Sequence, residues 1–269
     1  MGPGGPPPER GTLATMRISR VLPVTLAFAL LAPPGPAAAT AGPEGYAVHG
    51  IDISGHNHTG ENQAIDWRAL AATGQKFVSI KATEGHRTKW VNDWFARDLA
   101  GARSVKLIHT AYHYFTHEQD GVAQADHFLA TVRGQGLDGT HPYELPLELD
   151  IEPQGGDKPC GAEPAALVRQ ALAFIGRVES VTGVAPTVYT QKSFVDRCMA
   201  GSTEFGKYRV RLARYGRTPP PPLPGGTGWD FWQFTSTARI AGLPSHDVDE
   251  NVFAGDLAAL ERLANLARK

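Results

Sequence analysis

Five carboxylates, Asp52, Glu84, Asp150, Glu152 and Asp249, fall at, just past or within short β-rich runs of this 269-residue chain. Side chains pooled from several strand ends can meet at one rim, so this spacing suits acid–base work on a substrate held across it. The segment Leu145–Pro153, LPLELDIEP, is the sharpest case. Alternation along a strand puts Glu148, Asp150 and Glu152 on one face and Leu147, Leu149 and Ile151 on the other. Acids crowded on a buried face repel one another and lose hydration. That raises the pKa of at least one and readies it as a general acid near neutral pH. A solvated edge strand would carry the same acids, but here the opposite face is apolar enough to be core. Taken alone, D-x-E is a common pattern and specifies nothing.

Aromatic and amide side chains accompany the acids. Tyr112 and His113, with Tyr114 and Phe115, end the third β-rich run. Tyr189 ends the fifth, Tyr215 follows the sixth, and Trp232 with Gln233 ends the seventh. Sugar rings offer C–H faces that stack on aromatic planes between hydrogen-bonding groups, so acids with aromatics suit a carbohydrate groove. Tyr112, Tyr189 and Trp232 are read as groove residues, and Phe115, Phe231 and Phe234 as filling.

Other chemistries fit less well. His56-x-His58 and His113-x3-His117 are possible metal pairs, but no pattern assembles three ligands with a carboxylate behind them. Neither metal nor cofactor is expected. No G-x-S-x-G elbow is present for a serine hydrolase. A formal net charge of −1 offers no basic field for nucleic acid.

The elements that must position these residues alternate from Ala47 onward. Strands are expected at 48–53, 77–81, 107–115, 145–151, 187–189, 209–213, 231–234 and 247–252. Helices are expected at 67–72, 90–104, 123–133 and 164–182, with an amphipathic one at 256–267. Asp66 suits an N-cap, Pro164 a first helical turn, and Gly134, Gly136 and Gly183 helix stops. The fold class is therefore α/β, an irregular TIM-like barrel of eight strands and about five helices. An open doubly wound sheet is the alternative. The proline run within Thr218–Pro224 reads as a stiff surface loop, not a domain linker.

Arg17 and Arg20 precede an apolar run, Val21–Ala32, followed by prolines and the small residues Ala37–Ala41. This three-part pattern is that of a secretory signal peptide, and the run is too short to span a bilayer. Residues 1–41 are expected to be removed, leaving 42–269 as one catalytic barrel domain, secreted, without a membrane anchor, and by default monomeric. Outside the cell Cys160 and Cys198 are expected to pair.

The runs GIDIS (Gly50–Ser54), IDW (Ile65–Trp67), FVSIKATEG (Phe77–Gly85), AYHYF (Ala111–Phe115) and LPLELDIE (Leu145–Glu152) resemble those of the family 25 glycoside hydrolases, the N-acetylmuramidase type of lysozyme. PTVYT (Pro186–Thr190), LARY (Leu212–Tyr215), GWDFWQFT (Gly228–Thr235) and VDENVF (Val248–Phe253) follow in family order. The resemblance implies an irregular eight-stranded barrel and hydrolysis of the β-1,4 bond between N-acetylmuramic acid and N-acetylglucosamine in bacterial peptidoglycan. By the same motifs Glu152 corresponds to the general acid, with Asp150 beside it. Asp52 and Asp249 correspond to two further acids that position substrate or stabilise positive charge. Tyr112, Tyr189 and Trp232 match groove positions, with His113, Glu84 and Gln233 in support. Two acids at i and i+2 favour a substrate-assisted route over a water-spaced inverting pair. The polar stretch Gly55–Ala64 departs from the family pattern, and His56 and Asn57 are expected to replace its usual groove-edge residues. The rival readings are a chitin-type glycosidase, whose longer acidic series is absent, and a catalytically silent wall-binding protein.

Overall fold

Strands whose two faces differ in polarity can satisfy both only where a wall separates a polar interior from a helix-covered exterior. In the computed structural model, which describes Met1, Gly2, Gly5 and residues 42–59, 63–155 and 159–266, the chain builds such a wall. The expected leader segment, residues 17–41, lies outside the described residues. In chain order the elements are β1 (His49–Ile53), a single 3-10 turn (Gly55–Asn57), α1 (Trp67–Ala72), β2 (Phe77–Glu84), β3 (Trp90–Val91) and α2 (Phe95–Ser104). Then come β4 (Ile108–Tyr114), α3 (Gly121–Arg133), β5 (Glu148–Asp150), α4 (Pro164–Thr182), β6 (Thr187–Thr190) and α5 (Lys192–Cys198). The last are β7 (Val210–Ala213), β8 (Phe231–Ala238), β9 (Val248–Phe253) and α6 (Leu257–Leu263).

Neighbouring strands run β1-β9-β8-β7-β6-β5-β4-β2, and β1 pairs with β2 to close the ring. The sheet is thus a closed barrel of eight strands, not an open one, with β3 a short antiparallel flap on the end of β2. Pairs from β1 through β8 are parallel, whereas β9 runs antiparallel to both β8 and β1. Six helices are present among the described residues. The additional one, α5, is seven residues long and, unlike the still shorter α1 with its Asp66, has no side-chain N-cap to announce it. The helix expected from Trp90 starts at Phe95, because Trp90 and Val91 pair with Glu84 and Thr83 instead.

Apolar residues that alternate with the inward side chains, such as Ile51, Val78, Leu149, Val188 and Leu212, pack between wall and helices in the main core. Helix ends are set by local chemistry. Asp66 accepts from the backbone N–H groups of Arg68 and Ala69 to start α1, and Gly183, at φ 77°, ends α4 in a left-handed turn. The barrel bottom is plugged by a second cluster, Val48, Phe77, Ile108, Leu145, Phe231 and Phe253, with Leu260 of α6 beneath it. Above that plug the interior turns polar.

Candidate active site

The wall delivers its acids to the open end. Parallel strands end there, so Asp52 on β1 and Asp150 at the end of β5 project into it, and Glu152 lies two residues further on. Asp249 arrives differently. It was expected within the last strand of a parallel barrel, but β9 is antiparallel, so Asp249 reaches the same rim from near the strand's start and faces Asp52 directly across the ladder. Asp52, Tyr112, Glu148, Asp150, Glu152, Tyr189, Tyr215, Gln233 and Asp249 line a pocket of about 120 Å³. A larger hollow of about 690 Å³ opens at the other end of the barrel, beside α6, but no carboxylate lines it.

The acids differ in what surrounds them. One oxygen of Asp52, Oδ2, accepts hydrogen bonds from Gln233 Nε2 at 3.0 Å and Asn251 Nδ2 at 2.8 Å. Tyr189 in turn donates its hydroxyl to Gln233 Oε1 at 3.0 Å, which orients the amide towards Asp52. Burial, the facing Asp52 charge and a hydrogen bond to Asp52 push the Asp249 carboxyl up to about 9, so Asp249 carries a proton at neutral pH. Burial first and the Asp52 charge second push Glu152 up to about 7, against the opposing pull of Gln191 and Lys81. Gln191 Nε2 donates to Glu152 Oε2 at 3.4 Å. Asp150 is held well above the carboxylate range by burial, then by Glu152 and Glu148, while Lys81 opposes. One acid poised near neutrality beside another held by donor groups is an acid–base arrangement. Such a site can protonate a leaving oxygen and stabilise positive charge.

Glu84 does not line the pocket. It is half-exposed and pairs at 2.8 Å with Lys81 Nζ, whose ammonium lies over the rings of Tyr114 and Trp90 at 4.6 and 5.0 Å. Lys81 is the cation whose charge opposes the rise at both Glu152 and Asp150, so Glu84 acts on the site by holding it. Two expected groove residues face the other way. His113 is fully buried outside the barrel wall, where its ring nitrogens meet Thr83 Oγ1 at 2.7 Å and Gln124 Oε1 at 3.1 Å and its ring stacks near Phe174. Trp232 is also fully buried, packs on Tyr46, Trp229 and Phe234, and donates Nε1–H to the Arg214 carbonyl at 2.7 Å. Both corrections follow from strand alternation: Tyr112 and Gln233 point inward, so the adjacent His113 and Trp232 cannot.

The departing loop after β1 also differs from expectation. Asn57 is buried, accepts from the Ser54 N–H and donates to the Asp247 carbonyl, so it ties a turn instead of edging a groove. His58 Nε2 meets Asp98 Oδ2 at 2.9 Å, with Trp94 stacked 3.9 Å away. Gly60, Glu61 and Asn62 lie outside the described residues.

Sequence reasoning missed Asn251, Lys81, Gln191 and Arg211. Asn251 stands two residues after Asp249 and shares its face, a signal open to inspection. Arg211 carries no such sign, since its partner Glu148 lies 63 residues away. Cys160 and Cys198 form the expected disulfide, joining the loop after β5 to the end of α5.

Comparison with known proteins converges on one family. Residues 51–243 match the model of the glycosyl hydrolases family 25. An N,O-diacetylmuramidase of Arthroderma benhamiae is 33% identical over 219 residues, covering 81% of this chain and 86% of that protein. Lysozyme M1 of Streptomyces globisporus is 32% identical over 240 residues, covering 86% of this chain and 76% of the relative. The crystal structure of a bacterial lysozyme from Streptomyces coelicolor superposes with a TM-score of 0.72 at 30% identity, over 82% of this chain and 98% of that one.

Proposed function

The chain belongs to family 25 of the glycosyl hydrolases, and from that premise we propose that it is a secreted lysozyme cleaving the β-1,4 bond between N-acetylmuramic acid and N-acetylglucosamine in bacterial peptidoglycan. The enzyme class follows from the family, and relatives named lysozyme and N,O-diacetylmuramidase support the wall polymer as substrate. The observation that carries the reading is the convergence of Glu152, Asp150, Asp52 and Asp249 on one small pocket, with Asp52 fixed by Gln233 and Asn251 and Glu152 half-buried beside it.

In this reading protonated Glu152 gives its proton to the glycosidic oxygen as the bond to the anomeric carbon breaks. Asp52, fixed by Gln233 and Asn251, faces the positive charge that develops on the sugar. Asp249, carrying a proton, donates it in a hydrogen bond to Asp52 and so holds that carboxylate beside the substrate. Asp150, at the end of β5 and two residues before Glu152, turns to the acetamido group, whose carbonyl oxygen attacks the anomeric carbon in place of a protein nucleophile. Tyr112, Tyr189 and the exposed Tyr215 wall the groove. The expected leader supports export, as does the disulfide between Cys160 and Cys198.

Mass spectrometry of purified peptidoglycan digested with the protein, beside Glu152→Gln, tests this. Fragments with reducing-end N-acetylmuramic acid, absent with the variant, are expected. Reducing-end N-acetylglucosamine would make the enzyme a glucosaminidase, and undiminished digestion by Glu152→Gln would remove Glu152 from the role of acid. The first-formed anomer bears on the route: an α-product would overturn substrate assistance.

A further inference from the structure

Beneath the carboxylates lies a charged pair that the reaction does not touch. Arg211 on β7 and Glu148 on β5 project into the barrel from different sides, and both are almost fully buried. Arg211 Nε donates to Glu148 Oε2 at 2.8 Å, and Ser79 Oγ on β2 donates to Glu148 Oε1 at 3.0 Å. The guanidinium lies over the paired rings of Phe231 and Phe77, 4.9 and 5.7 Å from their centroids, on top of the apolar plug. Both Glu148 oxygens are therefore committed as acceptors, the arrangement an ionised carboxylate requires, and Arg211 and Ser79 oppose the upward push that burial gives this carboxyl.

Glu148 nevertheless lines the floor of the pocket, and Asp150 stands two residues above it on the same strand face. An anion fixed there by a guanidinium that never deprotonates opposes a second anion at Asp150. Oδ1 of Asp150 is buried and has no hydrogen-bond partner among the described residues, a poor setting for a charged carboxylate.

We propose that Glu148, locked in its ionised form by Arg211 and Ser79, is a positioning residue that keeps Asp150 protonated, so that Asp150 meets the substrate as a neutral acid. This rests on the muramidase reading for its consequence, though not for its test. A neutral Asp150 offers one oxygen to accept the acetamido N–H and one O–H to donate. The mobile proton of the reaction is then left to Glu152. The burial-driven rise at Asp150, to which Glu148 contributes, agrees with this. The other charges facing Asp150 are Glu152 beside it, Asp52 from β1 and Lys81 from β2. Arg211 faces Asp52 and Glu148 most closely.

The test labels the full chain with 13C at Asp and Glu carboxyls and assigns resonances with Asp150→Asn and Glu148→Gln. In the wild-type protein at about pH 6, well above the ordinary Asp value of about 4, Asp150 is expected protonated and Glu148 ionised. The reverse assignment overturns the proposal, and this arm reads the charge states in the wild-type protein, the variants serving only to assign its resonances. In Glu148→Gln the amide still accepts from Arg211 and donates to Ser79, but the anion is gone. A unit charge about 10 Å away at an effective dielectric of about 20 moves a pKa by about one unit. The Asp150 midpoint is therefore expected to fall by about one pH unit or more. Glu148→Gln combined with Arg211→Gln should return the midpoint towards wild type. A midpoint unmoved in Glu148→Gln overturns the proposal even if activity falls. If wild type digests no peptidoglycan, the muramidase reading fails and the NMR arm still decides the charge states.

Discussion

At the residue scale the site works by unequal protonation of equal groups. Glu152 sits near 7 because burial and the Asp52 charge both disfavour its anion. Activity that needs its proton is expected to hold below that value and decline as pH rises through about 7, measured as kcat/KM across pH. The same shift costs stability. In the unfolded chain Glu152 releases its proton above its ordinary value of about 4, whereas in the fold it holds on until about 7, so unfolding gains favour across that interval. Asp249, held to about 9, extends the loss further upward. Glu152→Gln, which cannot ionise, is expected to melt higher than wild type at about pH 8, by roughly 3–6 °C, and to show little difference at about pH 4. Equal melting temperatures at the higher pH would mean that Glu152 is not strained by burial. The acids themselves were plain in the sequence, because D-x-E on an alternating strand announces its face. Their partners were not: that Asn251 and Gln233 meet at Asp52 depends on how the barrel closes, which no local pattern encodes.

At the scale of elements, direction and close approach decide what reaches the site. Alternating polarity identified the inward face of β5, but applied evenly it should also have excluded His113 and Trp232, each adjacent to an inward residue. The antiparallel course of β9 was illegible, since period-two alternation reads the same both ways. Two contacts hold the elements that flank β5. Gly121, the first residue of α3, packs so tightly on α4 that an added Cβ would lie 1.9 Å from the Gln170 carbonyl oxygen. That neighbour is backbone and cannot swing aside, so Gly121→Ala should force the helices apart and destabilise by about 2 kcal/mol or more in denaturant unfolding. A change below about 0.5 kcal/mol would show that the helices part freely. The disulfide acts on the loop that carries Glu152, spanning 38 residues to the end of α5. Cys160→Ser with Cys198→Ser is expected to lose about 3–4 kcal/mol of stability. It should also lower kcat by loosening the loop after Glu152, and an unchanged kcat would confine the bridge to stability.

At the scale of the whole molecule the barrel is a device for keeping charge inside. An apolar plug closes one end, helices cover the wall, and the acids and their donors occupy the remaining interior. The barrel was legible because eight strand-like runs alternate with helical ones. The polar interior was legible only as far as β5. The whole chain has a net charge of −1, and removal of residues 1–39 would take away Arg10, Arg17, Arg20 and Glu9 and leave −3. Peptidoglycan is itself anionic through the free carboxylates of its peptide stems, so no long-range attraction draws enzyme to wall, and binding must come from close contact in the groove. Proteins that bind polyanions through basic patches lose affinity steeply as salt screens the attraction. Here kcat/KM on solubilised peptidoglycan is expected to stay within about threefold between roughly 50 and 200 mM salt, and to drift upward if it moves, because screening weakens repulsion. A fall of about tenfold would reveal a basic docking face and would place the recognition of substrate outside the barrel mouth.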